Sequence, residues 1–215
     1  MHLIISQTLY MNYLVNKMDD FIDTCVIIAS FDNKDKYYEI INIFLEGTER
    51  LVISIYQEKE EIPNLFLRRQ KLFMEVIKFL QNSDYPIDYS DFTEREKISI
   101  KKLLTRITLK QESEESLNKM LEEVITLRRK VFHFIQKKVF KKVIPIVDIK
   151  GDLVSIIKRI NQNKSDAKII ASAVQEHQTN NLIAFTLDKN DWKLNSIREK
   201  IENLGYECPE VRFLR

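Results

Sequence analysis

Short apolar runs that alternate with segments of helical periodicity constrain the fold of this chain more than any other feature. We predict strands over residues 21–28, 51–55, 143–147, 182–187 and 210–214. Runs of this length, rich in β-branched residues, are typical of buried strands, and Pro145 restricts the third run to a sheet edge. Because helices separate the strands, we predict an α/β fold with a mostly parallel central sheet and helices on both faces.

The predicted helices are numerous, and those in the middle of the chain are long and highly charged. They cover residues 34–45, 63–80, 93–142, 152–160, 165–177 and 191–205. Thr93 and Glu96 have the spacing of a capping box, and Ser165 is the predicted cap of its helix. The chain has only 3 glycines and 4 prolines, which indicates a helix-rich protein with few loops.

Charge and cysteine content exclude several classes of protein. The formal net charge is +2, so any attraction for nucleic acid must come from local clusters of charge. Cys25 and Cys208 lack the spacing of a disulfide framework or a zinc site. No stretch approaches the roughly 20 apolar residues of a membrane span, and we find no secretory signal. These features predict a cytoplasmic protein with no membrane association.

Three aspartates lie where functional groups of parallel α/β sheets collect. Asp188 directly follows the predicted strand 182–187, Asp166 begins the helix before it, and Asp23 lies in the first apolar run. Groups beyond the carboxyl ends of such strands meet in one crevice. Clustered carboxylates repel each other unless a cation lies between them, and hard oxygen ligands select Mg²⁺ or Mn²⁺. A site of this kind can activate water for attack on a phosphate, whereas GxxxxGK[ST], GxGxxG and HExxH motifs are missing.

Three segments resemble the motifs of PIN domains, in the order in which that family has them. Residues 21–28, FIDTCVII, resemble the first strand, in which Asp-Thr follows a hydrophobic stretch. Residues 165–173, SDAKIIASA, are similar to the third acidic motif, Asp-Ala at the start of a small-residue helix. Residues 184–192, AFTLDKNDW, are similar to the fourth motif, Thr-x-Asp before a polar pair and an aromatic residue.

The resemblance implies a PIN-like fold and a Mg²⁺- or Mn²⁺-dependent ribonuclease that hydrolyses RNA phosphodiester bonds. Such proteins are often the toxin of a toxin–antitoxin pair. By position in the motifs, Asp23, Asp166 and Asp188 would be catalytic metal ligands, and Asp191 would be an auxiliary metal-binding acid.

Two further roles come from the same resemblance. Thr24 and Thr186 would orient carboxylates or bind a metal-bound water beside the substrate. The family's second acid is a glutamate at the start of the helix after the second strand, where Glu58, Glu60 and Glu61 compete. Counting from the strand favours Glu60, but the apolar residue that should follow favours Glu61, which we choose as the fourth catalytic acid.

The resemblance covers residues 20–62 and 152–214. Residues 64–149 are longer and more charged than the usual middle of the family. We therefore predict an N-terminal extension, 1–18, and a PIN-like domain, 19–215, in which 64–149 is a helical insertion or elaboration.

A basic run within this helical segment offers a surface for phosphates. Arg128, Arg129 and Lys130 are assigned to substrate binding, because phosphate contacts would supply affinity to a near-neutral protein. A solvated helix face is the plain alternative. The apolar residues over 131–140 are numerous enough for a helix–helix contact or a subunit interface, as in a homodimer. RNA is the predicted partner, and an antitoxin or another protein is the second.

Each acid also has a structural interpretation. Asp166 could serve the helix dipole, and Asp188 and Asp191 could be turn or capping residues. Asp23 is harder to explain, because a buried, unpaired carboxylate is costly. The competing functions are a catalytically inactive PIN-like module that binds RNA or protein, and a phosphoryl-transfer or receiver-like protein, for which we find no phosphate-binding group.

Overall fold

Five strands form one parallel sheet in the computed structural model, which describes residues 18–161 and 163–214. The strands are β1 Asp19–Ile22, β2 Leu51–Ser54, β3 Lys141–Val143, β4 Leu182–Thr186 and β5 Glu210–Phe213. Their order across the sheet is β3-β2-β1-β4-β5, and every neighbouring pair is parallel. The predicted α/β fold with a parallel sheet is confirmed, and so is the edge position of the third strand.

Eight α-helices occur in the described part of the chain. They are α1 Thr24–Ala29, α2 Tyr38–Gly47, α3 Ile62–Gln81, α4 Glu94–Thr108, α5 Glu114–Lys138, α6 Gly151–Ile157, α7 Lys164–His177 and α8 Arg198–Glu202. A π-helical turn, Gln57–Glu61, precedes α3, and 3-10 turns cover Ile146–Asp148 and Leu194–Ser196. At the start of α4, Thr93 and Glu96 make both bonds of the predicted capping box. No described helix has the length and apolar content needed to cross a membrane.

Helices cover both faces of the sheet. Successive side chains of a strand point to opposite faces. Phe21, Val52 and Ala184, which are register partners, lie on one face and join the buried core formed with α6 and α7. On the other face, the ring of Phe185 packs against Phe44 of α2, with their centroids 4.4 Å apart. This arrangement follows the prediction.

The first strand is shorter than predicted. Strand β1 ends at Ile22, and Asp23 caps helix α1 by accepting the Thr24 N–H. The prediction of a strand over 21–28 was therefore wrong for its second half. Val26 and Ile27 are fully buried in the helix, so tertiary packing outweighs the preference of β-branched residues for strands.

Other predicted boundaries also differ from the structure. The helix predicted over 93–142 is two helices, α4 and α5, followed by β3. Strand β3 ends at Val143 instead of continuing to residue 147, because Ile144 has a φ of 50° and Pro145 has no N–H to donate to a ladder. The cap of α7 is Asn163, whose side chain accepts the N–H of Ser165, the predicted cap. The helix predicted over 191–205 is reduced to a 3-10 turn and the short α8.

The chain divides into two compact units. One consists of residues 18–59 and 134–214, and contains the sheet. The other is Glu60–His133, with a separate buried core that includes Leu72, Val76 and Ile100. The predicted helical segment 64–149 extends beyond this second unit, because β3 belongs to the sheet. The predicted extension 1–18 lies outside the described residues apart from Met18.

Candidate active site

Asp23, Asp166 and Asp188 come from three separate stretches of chain. Asp23 directly follows β1, Asp188 follows β4 by two residues, and Asp166 lies in the first turn of α7. Strands β1 and β4 are parallel neighbours, with Ile22 opposite Phe185. The carboxyl ends of the two strands therefore lie side by side, which is where ligands bind in open parallel sheets.

Asp23 is buried and its carboxylate is held by four donors. Its Oδ1 accepts the Thr24 N–H at 2.7 Å. Its Oδ2 accepts the Thr186 hydroxyl at 2.7 Å, the Trp192 indole N–H at 3.0 Å and the Cys25 thiol at 3.1 Å. Burial raises the pKa of Asp23, and these hydrogen bonds counteract part of the rise.

Thr186 connects two of the aspartates. Its hydroxyl donates to Asp23 and also accepts the backbone N–H of Asp188 at 3.0 Å. Thr186 is fully buried, as is most of Thr24. Their burial favours the orienting role over direct contact with substrate.

A tight turn brings Asp191 beside Asp188. The Asp188 carboxylate accepts the N–H of Asn190 at 2.7 Å and the N–H of Asp191 at 3.3 Å. This is the turn role that both residues could have from sequence alone. Burial raises the pKa of Asp191 to about 7, with further increases from the charges of Asp166 and Asp188 and from a hydrogen bond with Asp188.

Asp166 is influenced by the same group of charges. Burial and the negative charge of Asp23 raise the pKa of Asp166 to about 6, and Asp188 adds to the rise. The amides of Asn161 and Asn163 act in the opposite direction. Asn161 is buried, and it lowers the pKa through a side-chain hydrogen bond, as Asn163 does. Asp23 and Asp188 therefore lie close enough to Asp166 for their charges to raise its pKa.

A divalent cation suits the chemistry of these side chains. Asp166, Asp188 and Asp191 are partly buried carboxylates whose repulsion a cation would relieve. Within residues 18–161 and 163–214, no group of three or more His, Cys, Asp or Glu side chains is placed to hold a metal ion. Mg²⁺ keeps several of its waters and binds through one or two carboxylates, so a Mg²⁺ site here would have only one or two direct protein ligands.

Gln57 forms hydrogen bonds with the chain segments that carry the site, and the sequence did not indicate this role. It is fully buried, and its Nε2 donates to the carbonyl of Ile22 at 3.0 Å and to the Thr24 hydroxyl at 3.2 Å. Its Oε1 accepts the N–H of Ser54 at 2.8 Å. Gln57 therefore ties the end of β2 to the end of β1. A single polar residue after an apolar run carries no signal that would distinguish this role from an exposed one.

Trp192 and Cys25 also hold the Asp23 carboxylate. Trp192 belongs to the buried core and Cys25 is partly buried, and both donate to Asp23. Trp192 does pack against Phe21, with centroids 6.2 Å apart. Burial and the charge of Asp23 raise the pKa of the Cys25 thiol, which keeps it protonated as a donor. The aromatic position at the end of the 184–192 motif was the available signal for Trp192.

The three candidate glutamates differ in their contacts and in the compact unit to which they belong. Glu58 pairs with Lys142 of β3, at 2.5 Å between carboxylate and ammonium. Glu60 begins the second compact unit, and Glu61, the last residue of the π-helical turn Gln57–Glu61, also belongs to that unit. The assignment of Glu61 stays a prediction.

The predicted basic surface lies on α5. Arg128, Arg129 and Lys130 are exposed, and the guanidinium of Arg128 lies 5.8 Å from the ring centre of Phe132. All four residues belong to the unit Glu60–His133. Their contact with phosphates stays a prediction.

Compared with known protein families, curated proteins and solved structures, the chain matches none.

The free energy of unfolding should depend on pH, and the stabilisation by a divalent metal should depend on pH as well. The folded pKa values of Asp166, about 6, and Asp191, about 7, exceed the ordinary value of 3.8. Between about pH 4 and 7 the folded protein thus binds protons that the unfolded chain releases, so the free energy of unfolding should fall as pH rises. Mn²⁺ should raise the melting temperature more at pH 7.5 than at pH 5.

Urea denaturation in EDTA across this pH range measures the effect. The double variant Asp166→Asn with Asp191→Asn should show a flatter pH dependence and a smaller response to Mn²⁺. Identical pH profiles for the variant and the natural chain would contradict the prediction.

Proposed function

We propose that this protein is a divalent-metal-dependent endoribonuclease with a PIN-like active site. The proposal depends on one observation above all. Asp23, Asp166 and the turn of Asp188 and Asp191 come from three separate segments at the carboxyl end of two adjacent parallel strands, and the charges within this group raise the pKa of Asp166 and of Asp191. Structural acids are usually paired with cations, whereas unpaired carboxylates that repel each other indicate a site for a charged ligand.

The cation would be Mg²⁺ or Mn²⁺, bound directly by one or two of the carboxylates of Asp166, Asp188 and Asp191 and through its waters by the others. When bound, it would neutralise the phosphodiester and lower the pKa of attacking water. Asp23 would contribute through Oδ1, since a carboxylate oxygen has two lone pairs and this one accepts the Thr24 N–H.

The ionisation of Asp191 would depend on the cation. Without one, its pKa of about 7 means that the carboxyl is partly protonated at neutral pH. A bound cation would offset the repulsion from Asp166 and Asp188 and favour the ionised carboxylate, which could then act as a metal ligand. Thr186 and Trp192 keep Asp23 in one orientation, so this acid is held in place before substrate arrives.

We also propose a role for the helical segment, a location in the cell and protein partners. The helical elaboration within 64–149 would enlarge a PIN-like domain and present Arg128, Arg129 and Lys130 to RNA. A cytoplasmic location, an antitoxin or other protein partner, and a homodimer contact through residues 131–140 belong to the same hypothesis.

The direct test is cleavage of RNA by the purified full chain. We expect internal cuts in an end-labelled, unstructured RNA with Mn²⁺ or Mg²⁺, and none with EDTA. The same sequence as single-stranded DNA should be cut more slowly. An RNA that remains intact at millimolar Mn²⁺, with protein shown to be folded, would refute the enzymatic proposal.

The alternative is a catalytically inactive PIN-like module that binds RNA or protein. The engagement of the Asp23 carboxylate by four protein donors is the observation that favours it. Calorimetric titration with Mn²⁺ separates the two functions. Tight RNA binding without any Mn²⁺ binding at millimolar concentration would support the inactive module.

Glu61 and Glu58 should differ sharply when substituted. We expect Glu61→Gln to slow cleavage about 10- to 100-fold, the range for residues that orient a metal site. Glu58→Gln should have little effect on the rate, because its partner is Lys142. Initial rates at saturating Mn²⁺ provide the measurement. Equal losses for both variants, or a loss for Glu58→Gln alone, would overturn the choice of Glu61.

A further inference from the structure

A cleft beside the candidate active site is not accounted for by the proposed chemistry. Its volume is about 600 Å³, and it is lined by residues of the loop after β4 and of β5. Small-molecule pockets in proteins have volumes of about 300–1,000 Å³. The cleft is therefore large enough to hold a ligand of moderate size.

Trp192 joins the cleft to the aspartates. Its indole ring lines the cleft, while its N–H donates to Asp23 at 3.0 Å. Lys189 also lines the cleft and directly follows Asp188. A ligand in the cleft would thus lie next to the group of carboxylates.

The charges of the cleft favour an anion. Lys189, Lys193 and Arg198 line it, and all three are exposed. The one acidic residue in its lining, Glu210, forms an ion pair with Arg212 at 2.7 Å. Three cations therefore line the cleft with a single carboxylate that is already neutralised, and Arg198 also lies 3.9 Å from the carboxylate of Glu202 outside the lining.

The lining also includes polar Asn195 and Ser196 and a group of apolar residues, two of them aromatic. Trp192, Leu194, Val211 and Phe213 contribute to it, and Phe213 is 36% exposed. The ammonium of Lys189 lies 5.7 Å from the centre of the Phe213 ring, so charge and aromatic surface adjoin. Single-stranded nucleic acid is bound by this combination, in which cations contact phosphate and aromatic rings stack on bases.

We propose that the cleft is a subsite for one nucleotide of single-stranded RNA, next to the bond that is cleaved. Lys193 and Arg198 bind its phosphate, and Phe213 with Val211 contacts its base. The inference rests on the proposed nuclease function for its purpose, but nucleotide binding in the cleft is separable from cleavage. An acidic peptide is the competing occupant, and the apolar wall makes it the weaker fit.

Trp192 allows the subsite to be tested directly, because it is the single tryptophan of the chain. The full chain is titrated with hexauridylate in EDTA, where cleavage is absent and the metal-free carboxylates repel phosphate. We expect a saturable change in tryptophan fluorescence. Lys193→Gln should weaken binding about fivefold, and Phe213→Ala about tenfold, through the lost phosphate and stacking contacts.

Lys200→Gln is the matched control, since Lys200 is an exposed cation of α8 outside the cleft lining. It should leave the affinity unchanged. An unaltered Trp192 signal, equal affinity for all three variants, or equally tight binding of hexaglutamate would overturn the subsite.

Cleavage assays on the same variants separate the two proposals. A raised KM with an unchanged kcat for Lys193→Gln and Phe213→Ala supports the subsite. Binding in EDTA without cleavage in Mn²⁺ supports the subsite and contradicts the nuclease. Cleavage with a natural KM in both variants contradicts the subsite and leaves the nuclease standing.

Discussion

Asp166→Asn should reduce RNA cleavage by about 10³-fold or more, and the metal-free variant should be more stable than the natural chain. Loss of one carboxylate from a metal site removes several kcal/mol of transition-state stabilisation, and about 1.4 kcal/mol corresponds to tenfold in rate. The gain in stability has a separate cause. Burial and the charge of Asp23 make ionised Asp166 unfavourable, and an amide of the same shape removes that charge.

The opposite signs of the two effects make this variant informative. A residue that only supports the fold would lower stability and activity together. Thermal melting in EDTA at pH 7.5 and single-turnover cleavage in Mn²⁺ give the two measurements. Asp152→Asn is the control, because Asp152 is an exposed aspartate in the first turn of α6. An Asp166→Asn protein that cleaves normally would remove Asp166 from the site.

Asp23→Asn should also abolish cleavage, by about 10³-fold, but with a loss of stability of about 2 kcal/mol. The carboxylate accepts hydrogen bonds on both oxygens, from the Thr24 N–H, the Thr186 hydroxyl, the Trp192 indole and the Cys25 thiol. An asparagine has one oxygen, so its amide nitrogen must face a buried donor. An unsatisfied buried group of this kind costs about 1–3 kcal/mol.

Asp152→Asn serves again as the matched control, since Asp152 accepts the N–H of the next residue at 2.8 Å, as Asp23 does. Urea denaturation gives the change in stability, and cleavage is measured well below the unfolding transition. Natural cleavage rates in folded Asp23→Asn would exclude the proposed nuclease. Reduced activity with unchanged stability would contradict the hydrogen-bonding account.

Together the two variants separate the acids by their surroundings. Asp23 is surrounded by donors, and its carboxylate is part of the structure as well as of the site. Burial and the charges of other carboxylates raise the pKa of Asp166 and of Asp191, so the ionised forms of both are unfavourable in the folded protein. Proteins commonly place such unfavourable groups where a ligand compensates them.

The limits of sequence reasoning are clearest in residues 21–28. A short apolar run has the same appearance whether it is a buried strand or a buried helix. The deciding bond is the cap from Asp23 to Thr24, together with the full burial of Val26 and Ile27 in α1. The early end of β1 also moves Asp23 from the strand interior to its carboxyl end.

Partners of the acids were beyond sequence reasoning for a different reason. The Asp23–Trp192 hydrogen bond joins residues 169 positions apart, and the Asp23–Thr186 bond joins residues 163 apart. The residues around Trp192 do not predict that β4 pairs with β1, which is what brings Trp192 to Asp23. The cap of α7 was also misassigned, although its partners are close in sequence. The cap is Asn163, whereas the sequence pattern pointed to Ser165.

The sequence alone determined the alternation of strands and helices and the capping box at Thr93, and it supplied Asp23, Asp166 and Asp188 as candidate acids. These features depend on neighbours within a few residues, where periodicity and side-chain type carry the information. Tertiary structure decided which donors hold Asp23, how far the pKa values of Asp166 and Asp191 rise, and where the cationic cleft lies. Desolvation and repulsion depend on distances through space, and the parallel pairing of β1 with β4 creates those distances.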